Sequence, residues 1–199
     1  MHRVASPSSP LIALLVAFLI LISVLAASPS HARRSGPPRM HAIDMVVIHS
    51  TGGPTCDVQT GKPIWVKAGA LEENMRHIEA HPTLGIHYMI GKDGSLRASV
   101  PEEQLAHHVY RFSARSIAIE LVNDGDGRDI FEPAQLASLV ALLSDIQLRR
   151  GIVRSGVKRH SDLDTGALPC DPTQRRKVDP GAAFPFEQVL DRVFKPLPN

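Results

Sequence analysis

Apolar positions along this chain fall into two periods. Met45-Val46-Val47-Ile48-His49 and Ser116-Ile117-Ala118-Ile119-Glu120-Leu121-Val122 are near-continuous runs rich in Val and Ile. Runs of that kind predict strands buried on both faces. The first ends at Thr51-Gly52-Gly53-Pro54, and the second delivers Glu120 at its end. Gly85 to Ile90 reads as a further strand, Lys92-Asp93-Gly94 as a hairpin turn, and Leu96 to Val100 as the return strand. Elsewhere the spacing is helical. Leu71, Met75 and Ile78 predict a helix over Leu71 to Ala80, stopped by His81-Pro82. Pro133 opens the clearest helix, with Leu136, Leu139, Val140, Leu143 and Ile146 on one face and Gly151 as its stop. Phe186 to Phe194 predicts a short closing helix. Strands interleaved with helices and one hairpin imply an α/β fold, a mixed central β-sheet flanked by helices.

The N-terminal segment follows a different logic. Arg3 precedes the run Leu11 to Ile22, and Ser30-His31-Ala32 follows it. A basic start, an apolar middle and a small-x-Ala exit predict a signal peptide over residues 1–32. Counted on to Ala27, the stretch is long for a signal and short for a span of ~20 residues, so an uncleaved anchor is the competing reading. Export follows either way, to the periplasm or outside, with membrane contact only through an uncleaved segment. Residues 33–41, with Ser35-Gly36-Pro37-Pro38, read as a flexible lead-in, and 42–199 as one domain with a real core.

Charge and cysteines narrow the picture. A formal net charge of +2 argues against nucleic acid as a partner. Cys56 and Cys170 are a single even pair, and in an exported chain a disulfide is the default inference. Nothing in the pattern calls for more than a monomer.

The candidate chemistry sits in three places: His49 at the end of the first buried run, His160 in Arg159-His160-Ser161-Asp162, and Asp179 in Lys177-Val178-Asp179-Pro180-Gly181. Two imidazoles and a carboxylate suit a zinc ion (Zn2+) that keeps its fourth position open, the mark of a catalytic site. Each residue also has a plain structural reading. A strand-end histidine can be buried and hydrogen-bonded, Asp before Pro often makes a turn, and Lys177 closes a cationic run, Arg175-Arg176-Lys177.

Val47 to Gly52, Ser116 to Leu121 and His160 to Phe184, in that order, resemble the zinc-dependent N-acetylmuramoyl-L-alanine amidases of the type 2 family. The resemblance covers roughly residues 42 to 190 and implies a fold whose zinc-binding groove lies at one edge of the sheet. It implies His49, His160 and Asp179 as metal ligands, Glu120 as the acid that takes a proton from water, and Lys177 as the cation beside the oxyanion. His108, in Ala106-His107-His108, matches a substrate-contacting position. Departures are visible too. His107 stands where relatives often have Trp, Val109-Tyr110 replaces a small pair, and Ser113 stands where many have Asn. Asp164 to Arg176 is an insertion. It carries Cys170, and since some phage relatives use a thiolate as third ligand, Cys170 rivals Asp179. Asp162 and Asp164 read as surface or supporting carboxylates, and His87 as a packing or a substrate residue. His41, His77 and His81 receive no role.

The function so implied is hydrolysis of the amide between N-acetylmuramic acid and L-alanine in peptidoglycan or muropeptides. The alternative is a peptidoglycan-binding module of the same fold without turnover. A zinc peptidase acting within the stem peptide finds no H-E-x-x-H helix to support it.

Overall fold

The computed structural model describes residues 36–195. The segment read as a signal peptide or anchor lies outside the described residues. Among those described, no helix is long and apolar enough to cross a membrane.

The first buried run forms β1, Met45–Ser50, with all six residues buried. The second forms β6, Ser116–Leu121, and the two pair in parallel with Met45 opposite Ser116 and His49 opposite Glu120. β4, Tyr88–Ile90, lies parallel on the far side of β6, and β5, Leu96–Ala98, returns antiparallel beside it. A short strand that the apolar pattern did not mark, β7 at Val157–Arg159, pairs in parallel with β1. The mixed sheet therefore runs β5-β4-β6-β1-β7. The expected strand over Gly85 to Ile90 is shorter than its pattern. Ahead of it the Gly85 N–H donates to the His107 carbonyl, while Ile86 and His87 still accept from the N–H groups of Val100 and Ser99.

Alternation along the strands sorts the two faces. Val46 and Ile48 of β1 and Ile117, Ile119 and Leu121 of β6 pack on one side. There they meet Leu139, Leu142, Leu143 and Ile146 of the long helix α2, Pro133–Arg150, and Val189 and Leu190 of α4, Phe186–Val193. Gly151 ends α2 in the left-handed conformation at φ 67, which glycine adopts without strain. The long helix also buries a residue outside its apolar stripe. Gln135 is fully buried, and its amide nitrogen donates to the carbonyls of Ile90 and Val122 at the ends of β4 and β6. On the opposite face, Met89, Ala118 and Val122 pack with Met75 of α1, Leu71–Ala80, while Met45 and Val47 pack with Val109. His49 and Glu120, by the same alternation, belong to this second face.

Two small hairpins were not legible in the apolar pattern. β2, Gly53–Cys56, pairs with β3, Pro63–Val66, and within the insertion β8, Ala167–Leu168, pairs with β9, Asp171–Arg175. A disulfide between Cys56 and Cys170 joins them. That removes Cys170 as a rival metal donor, since a bonded sulfur has no thiolate to offer.

The described part of the lead-in makes hydrogen bonds to the domain. Pro38 bridges Gln104, and the Arg39 guanidinium donates to the carbonyls of Ser113, Ala114 and Ser116. A single side chain that satisfies several backbone acceptors holds this segment on the body of the protein.

Candidate metal centre

His49, His160 and Asp179 come from three different segments and converge at the carboxyl-terminal ends of the parallel strands. His49 is the fifth residue of β1, and His160 follows β7 directly as the first residue of the short helix α3, His160–Leu163. The Ser161 N–H donates to the Asp179 carbonyl at 3.0 Å, which ties α3 to the loop that carries the aspartate. Glycines let the loops close in. A Cβ on Gly181, whose φ is +98, would stand 2.6 Å from the Gly125 carbonyl oxygen, and one on Gly52 would stand 2.5 Å from that of Asp124. No other residue allows the backbones after β1, after β6 and after Asp179 to approach so closely.

The three side chains are buried, at 4%, 4% and 6% exposure. Their facing atoms nearly touch. His49 Nδ1 is 2.9 Å from His160 Nδ1 and 3.2 Å from Asp179 Oδ2, and His160 Nδ1 is 3.0 Å from the same oxygen. These donors form the one group of histidines and acids among the described residues that could hold a metal ion. The set fits such an ion by chemistry and by spacing. Bonds of ~2.0–2.1 Å at tetrahedral angles would set donors roughly 3.4 Å apart, close to the distances seen. Burial pushes His49 down to about 4, with the neighbouring His160 and Lys177 charges adding to it against the pull of Asp179, so the ring is neutral. Burial alone would raise the Asp179 carboxyl, but the imidazole nitrogens of His160 and His49 beside it hold it well below the usual carboxylate range. A neutral His49 imidazole and an ionised Asp179 carboxylate are ligand forms a divalent cation needs.

Glu120 and Lys177 face the same groove as the three donors. Burial raises the Glu120 carboxyl to about 8, the Asp179 charge adds to that, and Lys177 opposes it. Of the cationic run, Arg175 is spent on the carbonyls of Ser161 and Asp164, and Arg176 on the Asp164 carboxylate. Lys177 takes part in none of the ion pairs found among the described residues, so the run is not a uniform solvated face. Asp162 is drawn back to Arg159, and Asp164 to Arg176, as supporting carboxylates.

His108 also borders the groove, yet its ring nitrogens turn inward. Nδ1 lies 3.0 Å from His49 Nε2, and Nε2 lies 3.1 Å from Ser116 Oγ. It can offer a substrate its ring face but no free ring N–H. His87 is wholly buried and its Nδ1 accepts from the Ala118 N–H, which makes it a packing residue. His81 caps a turn, accepting from the N–H groups of Thr83 and Leu84. Three features of the groove escaped sequence reasoning: the wall from Gly53 to Thr55 with Val66, the exposed His77 on α1, and the Ser116 hydroxyl behind His108. A Ser-Ile strand start gives no hint of what its hydroxyl touches.

A family model described as N-acetylmuramoyl-L-alanine amidase matches residues 39–182. The N-acetylmuramoyl-L-alanine amidase AmiD of Escherichia coli (strain K12) is 34% identical over 108 residues, which are 47% of this chain and 36% of that protein. The chain thus spans little more than a third of the length of that curated relative. Among solved structures, AmiD from E. coli in complex with the substrate anhydro-N-acetylmuramic acid-L-Ala-D-γ-Glu-L-Lys superposes with a TM-score of 0.58 at 24% identity, covering 84% of this chain and 61% of that one. AmpDh3 from Pseudomonas aeruginosa in complex with anhydromuramic pentapeptide gives 0.57 at 20% identity, covering 84% and 66%. At such identities the superpositions show a shared fold.

Proposed function

Because the chain belongs to the N-acetylmuramoyl-L-alanine amidase family, we propose that it is a zinc hydrolase of peptidoglycan or muropeptides. The bond cut is the amide between the lactyl group of N-acetylmuramic acid and L-alanine. One observation carries the reading: a buried His49–His160–Asp179 donor set shares a groove with an acid, Glu120, and an ammonium, Lys177.

A zinc ion held by those donors supplies Lewis acidity and makes water more acidic. The protein's own groups do the rest. Glu120 accepts a proton from the attacking water as its oxygen bonds to the lactyl carbonyl carbon. Lys177 faces the negative charge that grows on the carbonyl oxygen. The C–N bond then breaks, and the proton held by Glu120 passes to the alanine nitrogen. The new carboxyl group gives up the second proton of the water to the amine, leaving a lactyl carboxylate and an alanine ammonium. Burial favours the protonated form of Glu120, which suits that second transfer, and the positive charge of a bound zinc ion would favour the ionised form that the first transfer needs.

A binding module would need the groove but not this combination of donors, acid and cation, and for that reason we favour turnover. The Cys56–Cys170 disulfide supports an oxidising, extracytoplasmic location, in line with the reading of residues 1–32. The test is to incubate zinc-loaded protein with purified muropeptides and weigh the products. Release of free stem peptide is expected. Retention of intact muropeptide on the protein with no release would overturn hydrolysis in favour of binding.

A further inference from the structure

The hydrogen bonds behind His49 form a chain with one self-consistent proton order. The Ser116 hydroxyl, buried at the start of β6, donates to the Phe112 carbonyl at 2.7 Å. With its proton on that shorter bond, Ser116 Oγ accepts from His108 Nε2, at 3.1 Å. His108 then carries its proton on Nε2, and in the neutral ring Nδ1 is a bare acceptor. The atom facing it is His49 Nε2, at 3.0 Å, which must supply the proton. His49 Nδ1 is thereby left with an exposed lone pair, aimed at the point shared with His160 Nδ1 and Asp179 Oδ2.

We infer that Ser116 and His108 are positioning residues that fix the His49 tautomer, so that its Nδ1 lone pair is presented to the metal before any metal arrives. The origin of the order is a backbone carbonyl, that of Phe112, which cannot change its role. The segment holding His108 is itself fixed. The Ser113 hydroxyl accepts from the N–H groups of His108 and Val109 and donates to the Val109 carbonyl. The His49 and His108 rings meet edge to face with centroids 5.1 Å apart, which restricts the rotation of His49 as well as its protonation. Outer partners of this kind typically change metal affinity by ~10–100-fold when removed. The role differs from substrate contact because it spends both ring nitrogens of His108 inside the protein.

The inference rests on His49 being a metal donor, but its test has an arm that needs no metal. Long-range 1H–15N correlation on metal-free protein reports which nitrogen of His49 carries the proton. Wild type should show His49 protonated at Nε2 alone, and His108→Ala and Ser116→Ala should each show a mixture of tautomers. In the second arm, chelator competition measures zinc affinity. His108→Ala should lose ~10–100-fold, Ser116→Ala less, and His108→Asn, which keeps an acceptor near the Nδ1 position, should recover most of the loss. A single Nε2–H tautomer persisting in both alanine variants overturns the inference, as does unchanged zinc affinity in His108→Ala. Absence of zinc binding by wild type would refute the metal reading instead, while the tautomer arm still decides the relay.

Discussion

His49 and Glu120 stand directly opposite each other on neighbouring parallel strands, β1 and β6, and both side chains leave the same face of the sheet. A metal donor and a proton acceptor are thereby placed by strand register rather than by loop geometry. A one-residue slip would turn one of them into the apolar layer under α2.

The donor set makes the first prediction. His160→Ala removes one of three converging donors and should bring zinc content after dialysis to near zero. Cys170→Ser should keep its metal, because that sulfur is bonded to Cys56 and offers no ligand. Zinc retained in His160→Ala, measured by atomic emission, would show that the donors lie elsewhere.

Chemistry can be separated from binding within the groove. Glu120→Ala and Lys177→Ala leave all three donors in place, so both should fold and hold zinc. Turnover of muropeptide should fall ~10²–10⁴-fold without the proton acceptor and ~10²–10³-fold without the cation beside the oxyanion. Wild-type rates in both variants would refute the assigned roles.

The disulfide closes a loop with a sequence separation of 114 and joins the β2–β3 hairpin, one wall of the groove, to the insertion. Bridges are typically worth ~2–4 kcal/mol. The Cys56→Ser, Cys170→Ser double variant should lose about that much in urea unfolding. Stability equal to wild type would mean that the hairpins dock without the bridge.

A pH dependence arises away from the metal centre. Glu102 is buried and works against its own desolvation, but hydrogen bonds from Arg149, Tyr88 and Arg150 hold its carboxyl down at about 2. A carboxyl lowered on folding stabilises the protein above its ordinary value of 4.5, and that stability drains as pH falls from there towards 2. Glu102→Gln should therefore cost on the order of 2 kcal/mol at neutral pH, less than the full shift implies because both arginines are partly solvated. At pH 2 the difference from wild type should shrink towards zero. A constant gap across urea titrations at the two pH values would rule out the ionised carboxylate as its source.

The strands β1 and β6, the helices α1, α2 and α4, and the three donors were all legible from order along the chain. Burial on both faces of a parallel sheet demands continuous apolar runs, and burial of one helix face demands a repeating stripe, so both write themselves into local sequence. β7 was missed because three residues with one buried position, Val157, carry no pattern. The β2–β3 and β8–β9 hairpins were missed because their residues are mostly exposed or half-buried and held by a disulfide, not by a core. Sequence alone determined which side chains could bind a cation and which strands deliver His49 and Glu120. The inward turn of His108, the commitment of Arg175 and Arg176 that leaves Lys177 to the groove, and the proton order from Phe112 through Ser116 to His49 were decided by the tertiary structure. Each depends on which of several available partners a polar group meets. That choice is made by segments distant in the chain and leaves no periodic trace in it.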